Sequence, residues 1–140
     1  MINSTVFLDT GFAIALLSPR DQYHAAALHL AAQIQQQGTK VITSDAVLLE
    51  IGAALAKHAY RPAAIKLIDG LRADPNVEIM PINSWLFETA YRLFREHPDK
   101  EWSLTDCASF VIMQERRISQ ALAADEHFKQ AGLIPLLLQA

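Results

Sequence analysis

The sequence holds one cysteine, Cys107, in 140 residues. A lone thiol excludes an internal disulfide and suits a reducing compartment. No apolar run approaches the ~20 residues of a membrane span. The start of the chain has no basic segment, and Asp9 interrupts its apolar stretch, so no secretory leader is expected and a cytoplasmic location is. Basic excess is also missing: 12 Lys and Arg stand against 15 Asp and Glu, for a net charge of −3. That balance argues against general charge-driven binding of nucleic acid, although a local basic face can still exist. Internal repeats, low-complexity segments, linkers and the Cys/His spacings of zinc sites are absent as well.

What the chain does have is apolar residues, 51% of the total. That content supports one domain spanning 1–140 with a full core. Together with long Ala-rich helices it leaves more apolar face than a small α/β domain usually buries. A homodimer or a tight complex with a partner helix is therefore expected.

Short apolar runs alternate with helical stretches. Ser4–Asp9 reads as a buried strand ending in an acid, followed by a short helical piece that Ser18-Pro19 stops. A long helix is predicted from Asp21 to about Gln37, with Gly38 as its C-terminal cap. Lys40–Ser44 is a second strand, and Ser44 or Asp45 caps a helix running to about His58. Pro62 sits in the first turn of the next helix, which ends near Arg72. Val77–Pro81 is a third strand, and Asn83 caps a helix to about His97. Ser103 opens a helix ending near Arg117, residues 119–124 form a fourth strand, and Asp125–Gln130 a short helix. Gly132–Leu138 is a weak last strand that Pro135 places at an edge. This alternation predicts an α/β three-layer sandwich, with a short parallel sheet of four to five strands flanked by helices.

Four acids stand out by position. Asp9 ends a strand, where ligands bind in open parallel sheets, but it can equally cap the next helix. Asp106 follows Ser103 by three, the spacing of a capping box, although Asp replaces the usual Glu or Gln there. Asp125 follows an apolar run and can also cap a helix. Glu50 lies about 100° from the centre of its helix's apolar face. From there it can snorkel to solvent or reach a pocket at the sheet edge. In a parallel α/β fold all four can face one sheet edge. Clustered carboxylates raise each other's pKa unless a cation is present. A hard divalent ion, Mg²⁺ or Mn²⁺, fits oxygen donors of this kind.

Other residues carry weaker signals. Cys107 reads as a packed thiol. His24, His29, His58 and His97 show no ligand-like spacing, whereas a helical turn can bring His127 near Asp125. Thr10, Ser103 and Thr105 can hydrogen-bond a metal-bound water, and capping or packing explains them as well. Lys57, His58, Arg61, Lys66 and Arg72 gather around one helical hairpin, and Arg116-Arg117 end the helix of Asp106. Each suits a solvated face or a helix end; as a group they can hold a phosphate backbone.

The segments VFLDTGFAIALLSPRDQYHAAA, TSDAVLLEIGAAL, WSLTDCASFVIM and ALAADEHF, in that order, resemble those of PIN-domain ribonucleases. The likeness is particularly to the VapC-like toxins of bacterial toxin–antitoxin pairs. The resemblance spans nearly the whole chain. It departs at Ala123, where the family often has Thr or Ser two residues before the last acid. It implies Asp9, Glu50, Asp106 and Asp125 as an acidic quartet around Mg²⁺ or Mn²⁺. It also implies cleavage of single-stranded or loop RNA of the tRNA or rRNA class, a homodimer, and a small antitoxin that blocks the site. On the chemistry, Asp9 and Asp106 are the expected direct ligands, Asp125 completes the site or binds a second ion, and Glu50 orients water or acts as base.

Rival readings fit less well. A signalling receiver domain wants adjacent acids after the first strand and a lysine after the last; here Thr10 follows Asp9, and Leu133–Leu138 has no lysine. A haloacid-dehalogenase-type phosphatase wants Asp-x-Asp where this chain has Asp9-Thr10-Gly11. A catalytically silent PIN fold that only binds RNA or protein is the remaining alternative.

Overall fold

The computed structural model describes residues 1–139. Five parallel strands, β1 (Thr5–Leu8), β2 (Lys40–Ser44), β3 (Val77–Met80), β4 (Gln120–Leu122) and β5 (Ile134–Pro135), form one sheet in the order β3-β2-β1-β4-β5. The helices are α1 (Thr10–Leu17), α2 (His24–Gln37), α3 (Asp45–Ala54), α4 (Arg61–Ala73), α5 (Ser84–Glu96), α6 (Leu104–Glu115) and α7 (Glu126–Gln130). This is the three-layer α/β sandwich expected from the alternation of strands and helices.

Alternation along β1 builds both cores. Phe7 points to the face covered by α3, α5 and α6, whereas Val6 and Leu8 point to the face covered by α2 and the end of the chain. All three side chains are buried, as expected of a central strand in a parallel sheet. Helix α6 is buried continuously from Cys107 to Met113, which makes it a core helix rather than a surface one. An aromatic chain braces its end. The Phe110 ring meets Trp102 edge-on at 5.2 Å and Phe128 edge-on at 5.1 Å. Trp102 precedes α6 and Phe128 lies in α7, so these contacts fix the N-terminus of α6 against α7.

Several boundaries move from their expected places. Helix α3 ends at Ala54 instead of near His58, because Leu55 turns into the core and the chain must reverse into α4. Helix α2 begins at His24 rather than Asp21, whose carboxylate accepts the Tyr23 amide at 2.8 Å and closes a turn before the helix. The last strand shrinks to two residues. Pro135 cannot donate to a ladder, and Leu136 and Leu137 wind into a 3₁₀ turn that buries them in the second core. Among the described residues, no helix is long and apolar enough to cross a membrane.

Candidate active site

The strand order runs outward from β1 in both directions, to β2 on one side and to β4 on the other. In such sheets the crevice beyond the carboxyl ends of the two strands at the switch point is the natural ligand site. A cleft of about 910 Å³ opens there. Asp9, Glu50, Asp99, Glu101, Asp106, Asp125 and Glu126 all line it, against a single lysine, Lys100.

Asp9 directly follows β1, and its amide donates to Leu122 O of β4 at 3.1 Å. It occupies the cap position of α1, yet its side chain makes no capping bond. The carboxylate is buried, and its pKa rises from the ordinary 3.8 to about 7. Desolvation is the main cause and the charge of Asp106 the next; Glu50 and Asp125 add to it, and the Thr10 amide opposes it. Glu50 reaches the same cleft from α3, where it accepts a 2.7 Å hydrogen bond from the Thr10 hydroxyl.

Asp106 is fixed by the reciprocal capping box that its spacing predicts. Its amide donates to Ser103 Oγ at 2.9 Å, and its Oδ2 accepts from the Ser103 amide at 3.0 Å. Capping and facing the cleft are therefore compatible in this residue, since both partners of the carboxylate use Oδ2. The second partner is His127, whose Nδ1 lies 3.0 Å from Asp106 Oδ2 and 3.3 Å from Asp125 Oδ1. With carboxylate acceptors on both sides, Nδ1 is oriented to donate when no metal is bound. Asp125 caps α7 by accepting the His127 amide at 2.9 Å. One ligand atom from each of Asp106, Asp125 and His127 lies within 4.8 Å of the others, a spacing able to hold a metal ion. Asp9 stands outside that trio but lines the same cleft.

Thr10 and Ser103 also line the cleft, whereas Thr105 does not. The basic residues do not gather there. Lys57 and Arg61 are exposed at the α3–α4 turn, and Lys66 is exposed on α4. Arg116 and Arg117 lie at the far end of α6, ~15 Å along the axis from Asp106. Arg116 there makes a double hydrogen bond to Glu78 at 2.8 and 2.9 Å. Arg117 adopts a left-handed backbone with φ 56°. Ala123 is buried and brings no hydroxyl. The sequence drew no attention to the loop Asp99-Lys100-Glu101, to Glu126 or to Gln130. A run of charges just before Trp102 was the available signal for the loop.

A parallel sheet with an acidic cleft at its switch point defines a class, and comparison with known proteins names it: the chain belongs to the PIN domain family, whose model matches residues 6–133. Within that family it is 30% identical over 129 residues to the 23S rRNA-specific endonuclease VapC20 of Mycobacterium tuberculosis, in strains CDC 1551 and H37Rv alike. The match covers 92% of this chain and 95% of that protein. The crystal structure of M. tuberculosis VapC20, a sarcin–ricin loop cleaving toxin, superposes with a TM-score of 0.83 at 29% identity, covering 93% of this chain and 97% of that one.

Proposed function

We propose that this chain is an endoribonuclease toxin that hydrolyses phosphodiester bonds in single-stranded or loop RNA, with large-subunit rRNA the favoured class. One observation carries the reading: four carboxylates meet at the switch point, and the buried Asp9 is driven up to about 7 by burial and by its acidic neighbours. A phosphate cannot approach such a cleft without a cation. The 23S rRNA specificity of VapC20 supports rRNA as the substrate class.

The donor set fits a hard divalent ion, because it is built from carboxylate oxygens with one imidazole at its margin. Asp9, Asp106 and Asp125 would hold Mg²⁺ or Mn²⁺. Bound there, the ion would lower the pKa of a water and offset the charge developing on the phosphate. Glu50, steadied by the Thr10 hydroxyl, would orient that water and serve as its base. The Ser103 box and His127 keep Asp106 from swinging away. Lys100, which lines the cleft with its Nζ 3.4 Å from Asp99 Oδ2, would meet a phosphate oxygen.

Such a toxin acts on RNA in the cytoplasm and needs a small antitoxin to silence it. The apolar groove lined by Phe12, Leu16, Ile34, Leu67 and Leu71 suits an amphipathic antitoxin segment. Leu49, Tyr60 and Ile65, exposed on and beside α3 and α4, suit a homodimer contact.

The test compares the wild type with Asp106→Asn on an rRNA hairpin and on growth of expressing cells. Asparagine can still accept the capping bond, and losing the charge relieves Asp9, so stability should not fall by as much as ~1 kcal/mol. Cleavage and growth arrest should fall by orders of magnitude. A variant that folds normally and still cuts would place the active site elsewhere.

A further inference from the structure

Another cavity, of about 340 Å³, lies beside the acidic cleft between the end of α5 and the loop leading to α6. Tyr91, Phe94, His97, Pro98 and Trp102 wall it, and Lys100 lines both this cavity and the cleft. Its volume lies at the small end of the range for small-molecule sites. Tyr91 and Phe94 are more than two-fifths exposed, and with Phe87 they form a stripe at the i, i+4, i+7 spacing of one helix face. The buried face of α5 is carried by Leu86 and Ala90, so packing of α5 on the core does not account for this stripe.

The cavity is held in shape before any ligand arrives. Trp102 Nε1 donates to Gln130 Oε1 at 3.0 Å, and Gln130 itself lines the acidic cleft. The His97 ring stands 5.1 Å from the Trp102 ring and is anchored to Leu93 O at 3.0 Å. Cations rim the aromatics: Arg95 lies 5.7 Å from the centre of the Tyr91 ring, and Lys100, whose Nζ lies 3.4 Å from Asp99 Oδ2, lines both cavity and cleft, so that a phosphate would take it over from Asp99. Flat rings flanked by cations form the surface that takes single-stranded nucleic acid, the rings stacking bases and the cations following the backbone.

We propose that this cavity is a base-binding pocket, taking one unpaired base of the RNA strand whose phosphate lies in the acidic cleft, with Lys100 spanning the two. The pocket rests on the nuclease reading of the cleft and adds to it a reason for single-stranded or loop RNA. A base inside a duplex cannot leave its stack to enter without an energetic cost.

The experiment uses the full chain and short RNA strands carrying 2-aminopurine at successive positions, with Ca²⁺ replacing Mg²⁺ to keep the strand intact. Binding to the wild type should quench one position, the base seated in the pocket. The Tyr91→Ala/Phe94→Ala protein should lose that quenching and bind roughly tenfold to a hundredfold more weakly. Tyr91→Trp should retain both. Hydrolysis of bis(p-nitrophenyl) phosphate, too small to reach from cleft to pocket, should be the same in wild type and double variant. Unchanged RNA affinity and quenching in the double variant would overturn the pocket. So would a wild-type dimer that the double variant turns into monomer, because that face would then belong to a second copy of the chain. If wild type quenches the probe yet cleaves neither substrate, the nuclease reading fails and the pocket stands.

Discussion

The two ends of the same sheet handle carboxylates in opposite ways. At the amino ends of the strands, Glu78 meets the Arg116 guanidinium, whose hydrogen bonds and charge hold its pKa below the usual value. At the carboxyl ends, Asp9 is buried among acids and pushed up to about 7. One cluster neutralises itself within the chain; the other leaves negative charge outstanding for something that is not part of it. Perturbation alone would have marked both ends. The direction and its cause separate a structural ion pair from a candidate site.

The largest effect that separates the two ends should come from removing the Asp9 charge. A folded pKa above the unfolded 3.8 means that the native protein binds the proton more tightly. That contribution to stability is fully present below about pH 3.8 and is lost as pH rises through about 7. Metal-free protein should therefore melt at lower temperature at pH 7.5 than at pH 5, and Mn²⁺ should restore much of the difference. Asp9→Asn should flatten the decline, gaining on the order of a few kcal/mol over the apo wild type at pH 7.5 while binding Mn²⁺ far more weakly. Calorimetry at the two pH values measures both. Equal Mn²⁺ binding by wild type and variant would remove Asp9 from the proposed ligand set.

Much of this contrast was legible in the sequence because its signals are local. The apolar run before Asp9 announces β1, Pro62 sits in the first turn of α4, Asn83 caps α5 through the Leu86 amide, and Ser103 with Asp106 announces the capping box. The family resemblance carried the fold and the order of the acids. What stayed hidden depends on contacts between distant residues. The Thr10–Glu50 bond joins positions forty apart, and the His127 bridge to Asp106 joins positions twenty-one apart. The Arg116–Glu78 pair is likewise invisible locally, so Arg116 looked available for phosphate until the fold placed it at the opposite end. Helix α3 was read too long for a similar reason: Leu55 continues the helical pattern, yet it is spent on the core as the chain turns.

A smaller effect should follow from loosening Glu50. Thr10→Val keeps the shape of the side chain and removes the donor of the 2.7 Å bond. A hydrogen bond to a charged group contributes about 1.5–3 kcal/mol. If that bond orients Glu50 for the chemical step, kcat for RNA should drop roughly tenfold or more. Thr10→Ser, which keeps the hydroxyl, should recover most of the loss. Equal rates for valine and serine would assign Thr10 to packing.

The smallest effects belong to the other end of the sheet. The Glu78 and Arg116 side chains are 52% and 38% exposed, so solvent screens their attraction despite the paired geometry. Pairs of this kind contribute up to about 1 kcal/mol. Because Glu78 has a lowered folded pKa, its contribution is present above about pH 4.5 and is lost as pH falls. Its pH dependence therefore runs opposite to that of Asp9. Glu78→Gln should cost under ~1 kcal/mol at pH 7.5 and less at pH 3.5. Neither Glu78→Gln nor Arg116→Ala should alter RNA cleavage, since both residues sit at the far end of the sheet from the cleft. Denaturant melts at the two pH values, read beside cleavage rates, check both statements. A clear loss of cleavage in Arg116→Ala with an intact fold would mean that RNA follows α6 from the cleft to the far end of the sheet. The basic residues there would then belong to the RNA path, and the contrast between the two ends would be one of role within a single site.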